Sequence, residues 1–137
     1  MSLTRRKERE IVFQMLFAAR FSPEADTASL YDTLIAGCET PGAAESEYVR
    51  SVFCGARDYA EAAIEKVKSA AVGWKVERFS KVTLTILELA VYEMDQREDV
   101  PVKIAINEAV ELAKRFDEEG SRKFVNGILG TLAGKEA

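Results

Sequence analysis

Residues 76–94, VERFSKVTLTILELAVYEM, carry the strongest apolar stripe in the chain. Phe79, Val82, Ile86, Leu89, Ala90 and Met94 recur at helical spacing, and Leu87 and Val91 widen the stripe. A face this broad predicts a central helix packed on more than one side.

Reading outward toward the C-terminus, Arg97-Glu98-Asp99-Val100 is a short polar link, and Pro101 suits a first helical position. A helix over 102–116 follows, with Ala105, Ile106, Ala109, Val110, Ala113 and Phe116 on one face. Gly120 is a stop and Ser121 an N-cap. The last helix should bury Phe124, Val125, Ile128, Leu129 and Leu132. Toward the N-terminus, Gly73-Trp74 closes a helical region in which Tyr48, Val49, Val52, Phe53 and Ala56 form a stripe. Tyr59, Ala60, Ala63, Ile64 and Val67 continue it, and Gly55 is a candidate break. A helix over 27–38 carries Leu30, Leu34 and Cys38 and ends near Pro41-Gly42. The first helix covers about 4–21 and breaks at Ser22-Pro23. The expectation is an all-α chain of six or seven helices with short connections, forming a single domain over residues 1–137.

Composition removes several function classes. There is no histidine, and Cys38 and Cys54 form no close pair, so neither a zinc site nor a disulfide framework is expected. No stretch approaches the roughly 20 apolar residues of a membrane span, and the N-terminal apolar run lacks a cleavage site, so a cytoplasmic location is expected. Without histidine, a nucleophile elbow or a phosphate-binding glycine loop, catalysis is not expected. Binding is the default.

Charge is unevenly spread. The first twenty residues hold Arg5, Arg6, Lys7, Arg9 and Arg20 against Glu8 and Glu10, a net of +3 in a chain of net charge −4. At roughly 100° per residue, these arginines share about a third of the helix wheel with Phe13 and Phe17. Ile11, Val12, Met15, Leu16 and Ala19 occupy an adjacent arc. Guanidinium groups interleaved with aromatic rings suit a phosphate backbone with stackable bases. A solvated first turn with both phenylalanines in the core is the structural alternative. The cluster also sits at the positive end of the helix dipole, where cations are mildly disfavoured.

Three segments define a resemblance. One is RRKERE at 5–10 with Gln14, Leu16 and Phe17. The second is Ile86-Leu87 with AVYE at 90–93 and Asp99-Val100-Pro101. The third is AINEAVELAK at 105–114, running on to SRKFVNGIL at 121–129. Together they closely resemble the NusB family of bacterial transcription antitermination factors, across essentially the whole chain. The resemblance implies two small helical bundles without a cofactor or enzymatic activity. It implies binding of single-stranded boxA-type RNA together with the ribosomal protein NusE, in an RNA polymerase antitermination complex at ribosomal RNA operons. By the same resemblance, Arg5, Arg6, Lys7 and Arg9 are expected to meet phosphates, with Phe17 as a stacking ring. In the last helix, Arg122, Lys123, Phe124 and Asn126 complete the expected RNA site, and Gly127 would let a backbone or base come close. Phe124 is also compatible with the core, and Asn126 with a plain surface role. Glu8, Glu88 and Gly130 depart from the family pattern. The alternatives are an RNA-binding module related to ribosomal RNA cytosine methyltransferases, and a protein–protein adaptor or homodimer with no RNA role.

Overall fold

The computed structural model describes residues 3–136, with side chains described for 3–134. Every regular element among them is helical. The chain divides into two compact units, one up to Asp58 and the other from Tyr59 on.

The first unit holds α1 (Arg5–Ala19), α2 (Thr27–Ala36) and α3 (Glu47–Asp58), with α3 packed on both partners. The apolar arc of α1 is buried as expected, from Ile11 and Val12 to Met15, Leu16 and Ala19. On α3, which packs against α1, Val49, Val52 and Phe53 are fully buried. The Phe53 ring lies 6.1 Å from that of Tyr31 on α2. Polar ties close the unit. Arg57 donates to Thr27 Oγ1 at 2.8 Å and to the Ser22 carbonyl at 3.2 Å, and the Thr27 hydroxyl donates to Asp58 at 2.6 Å.

The second unit holds α4 (Ala60–Ala70), a 3₁₀ turn (Val76–Arg78), α5 (Lys81–Gln96), α6 (Val102–Phe116) and α7 (Ser121–Glu136). As the wide stripe predicts, α5 is central and packs on α4, α6 and α7. Every residue from Thr85 to Val91 is buried, Glu88 included. Val125, Ile128 and Leu129 of α7 are fully buried, as are Ala63 and Val67 of α4.

Several boundaries differ from expectation, the end of α2 at Ala36 among them. The first helix ends at Ala19, because the N–H groups of Arg20, Phe21 and Ser22 turn back to carbonyls three residues earlier. Gly55 does not break α3; the break falls at Asp58–Tyr59. There Asp58 is held by Thr27, while the next residue, Tyr59, donates to Asp95 on α5 at 2.6 Å. The segment 76–94 is not one helix. Ser80 is extended and its hydroxyl accepts from Thr83 N at 3.1 Å, so this cap starts α5 at Lys81 and leaves Phe79 outside it. Finally, Pro101 is the cap and not the first helical residue of α6, whereas Ser121 begins α7 and donates back to the Glu118 carbonyl.

Candidate nucleic-acid interface

In the first unit, Thr4 caps α1 by accepting from Lys7 N at 3.1 Å, which fixes the basic turn. The Arg5 guanidinium carbon lies 4.2 Å from the centre of the Tyr48 ring, and that of Arg9 lies 5.5 Å from it. Arg5 also pairs with Glu8 at 3.3 Å, and Lys7 with Glu10 at 3.6 Å. Arg5 and Arg6 are exposed and Lys7 is half-buried. Arg9 is 4% exposed, with its guanidinium against the ring of Tyr48, which comes from α3.

Glu8, the departure inside the basic cluster, has a structural task. Its carboxylate accepts from the Ser46 hydroxyl, and Ser46 Oγ accepts from Val49 N at 3.0 Å. The acid thereby ties α1 to the start of α3, where the helix dipole favours an anion. The two phenylalanines separate. Phe13 is buried at 3% exposure, while Phe17 is half-buried and meets Phe21 edge to face at 5.5 Å. Phe21 is 61% exposed and was not among the expected site residues. Its spacing of four from Phe17 was the available signal.

In the second unit, Gly120 takes φ +100°, a conformation that favours glycine, and its carbonyl accepts from Lys123 N. α7 then exposes Arg122, Lys123 and Asn126. Phe124 is half-buried and stacks on Phe79, with centroids 4.8 Å apart and planes at 17°. Trp74 stands 6.3 Å from Phe124. The space over Gly127 is not open for RNA as expected: a Cβ there would lie 3.1 Å from Trp74 Cη2. Neither Trp74 nor Phe79 was read as a site residue, because tertiary folding brings them to α7. A cleft of about 500 Å³ opens beside this stack, between Arg78, Phe79, Thr83, Asp117, Gly120 and Phe124. Asp117 accepts from the Thr83 hydroxyl there. Glu88 lines a separate recess of about 460 Å³ between α4 and α5, where Lys68 is the one cation among the lining side chains.

Burial, and then the charge of Asp58, push the Cys54 thiol above its ordinary value, away from the thiolate a nucleophile needs. Among the described residues no cluster of acids and cysteines gathers to hold a metal, and no helix is long and apolar enough to cross a membrane.

Comparison with known proteins adds an independent line. The sequence profile of the NusB family matches residues 6–134. The transcription antitermination protein NusB of Limosilactobacillus fermentum is 42% identical over 138 aligned positions, covering 98% of this chain and 96% of that protein. Its counterpart in Carboxydothermus hydrogenoformans is 40% identical, covering 96% of this chain and 93% of that protein. Among solved structures, T. maritima NusB superimposes with a TM-score of 0.82 at 31% identity, covering 98% of this chain and 94% of that one.

Proposed function

The chain belongs to the NusB family, and from that premise we propose that it binds single-stranded boxA-type RNA together with a NusE-like ribosomal protein. In this reading it acts in the cytoplasm as a non-enzymatic transcription antitermination factor, within an RNA polymerase complex at ribosomal RNA operons.

One observation carries the RNA reading: α7 exposes Arg122, Lys123 and Asn126 beside the stacked pair Phe79 and Phe124. The cations suit phosphates. The amide offers both a donor and an acceptor to a base edge, and the rings offer a stacking face. The first unit contributes Arg5, Arg6 and Lys7 to phosphates and Phe17 to stacking. Arg9 supports this set from beneath by holding Tyr48.

The test is binding of a short fluorescein-labelled boxA-type RNA, with and without the NusE-like protein, followed by anisotropy. Wild type is compared with Arg6→Ala plus Lys123→Ala, after circular dichroism confirms equal helicity. The double variant should bind about ten-fold or more weakly, since each lost cation removes a screened phosphate contact. Equal affinity of the two proteins, or binding indifferent to salt, would overturn the assignment.

A further inference from the structure

Trp74 is the chain's one tryptophan. It follows Gly73, which takes φ +91°, in the turn after α4, and its N–H donates to the Ala71 carbonyl at 3.0 Å. This turn lays the indole across α7 at Gly127, where the missing side chain makes room for the ring edge. The seat is tight: a Cβ at Gly127 would lie 3.1 Å from Cη2 and 3.8 Å from Cζ3. Yet Trp74 remains 42% exposed. The fold places the largest aromatic side chain on a bare stretch of helix and leaves much of it facing water, although such rings normally gain most from burial.

The neighbours say what could use that ring. Lys123 lies four positions before Gly127, one turn away on the same side of α7, and Asn126 adjoins the seat. Lys75, next to Trp74 in the chain, is exposed. From Ser121 to Gly134 the only charged residues are Arg122 and Lys123, so this part of α7 is wholly cationic. The Phe124 ring stands 6.3 Å from the indole, inclined at 53°, and is itself backed by Phe79. An apolar plane bordered by cations and an amide is what a single-stranded nucleic acid requires. Phosphates take the cations, and any base can use the plane because every base has a π face.

We propose that Trp74 is a base-stacking residue of this protein, held ready over Gly127, with RNA as its occupant. The proposal rests on the RNA-binding reading above and extends it to a residue outside the segments that carried the family resemblance. It also gives Gly127 a different task from the one expected: the glycine admits the indole, and the indole meets the base.

The experiment titrates the full chain with a short fluorescein-labelled single-stranded boxA-type RNA and reads two signals. Anisotropy of the label reports binding, and indole emission reports Trp74 alone. The expected result is quenching of the emission in step with the anisotropy. Trp74→Leu should raise Kd about ten-fold, within the range that stacking on one base supports. Trp74→Phe, which keeps a ring, should recover most of that affinity. If anisotropy rises but the emission is unmoved, or if Trp74→Leu binds as wild type does, the proposal falls and the RNA reading stands. If the wild type binds no RNA at any salt concentration, both fall. Should the leucine variant melt, the wild-type emission decides by itself.

Discussion

Gly127 and Gly130 stand one turn apart on α7 and should respond differently to the same substitution. Nothing lies within 4 Å of a Cβ at Gly130, so Gly130→Ala should raise stability by about 0.5–1 kcal/mol through helix propensity alone, as chemical denaturation would measure. At Gly127 the added methyl must shift the indole, so Gly127→Ala should gain less and change the Trp74 emission. Tyr59 supplies a pH test. Burial first, and then its hydrogen bond to Asp95, raise the phenol above the ordinary 10.0. The folded state therefore holds this proton more tightly than the unfolded chain does. Its contribution is full below pH 10, and stability should fall as pH climbs from there through the raised value. Tyr59→Phe should flatten that alkaline decline in a melting series. Residue identity alone told part of this. The exposure of Arg5, Arg6, Arg122, Lys123 and Asn126 follows from their positions on amphipathic helices. The burial of Arg9 does not, because it depends on Tyr48 arriving from another helix.

Helices were legible where periodicity was strong and less so where capping competed with it. α6 spans Val102–Phe116 as the pattern predicts, because its apolar face is regular and Pro101 marks its start. The start of α5 was misplaced because Phe79 and Val82 fit the stripe, yet Ser80 caps between them. That cap is testable: Ser80→Ala should cost about 1 kcal/mol, read by thermal or urea melting. The consequence reaches the site, since ending the 3₁₀ turn before Ser80 leaves Phe79 extended and stacked on Phe124. Ser46 is a second case. It caps α3 through Val49 N and donates to Glu8 on α1, so Ser46→Ala removes a cap and an interhelical tie together. It should cost more than Ser80→Ala in the same measurement. Within the first unit Phe53→Ala should cost about 3–5 kcal/mol, because its ring is fully buried.

At the scale of the whole molecule, the all-α class was readable from the chain because long alternating strand patterns are absent. The place of the division after Asp58 was not, because the helical stripe of 48–56 runs on into that of 59–67. Neither unit is basic. The first carries seven basic and nine acidic residues, and the second twelve and fourteen. On the proposed reading, attraction to RNA comes from local groups, and affinity should be weak at physiological salt without the NusE-like protein. If Arg5, Arg6, Lys7, Arg122 and Lys123 each meet a phosphate, a slope of roughly −3.5 in log affinity per decade of salt would follow for single strands. The Arg5–Glu8 and Lys7–Glu10 pairs alter that expectation. These carboxylates are resident anions, tethered to the same helix as the cations they neutralise. When a phosphate takes the cation, the displaced anion cannot diffuse into the bulk and contributes no mixing entropy. Contact on α1 is then an exchange of partners, and the measured slope should be shallower than the number of cations touching RNA. Glu10→Gln removes one such anion and should steepen it.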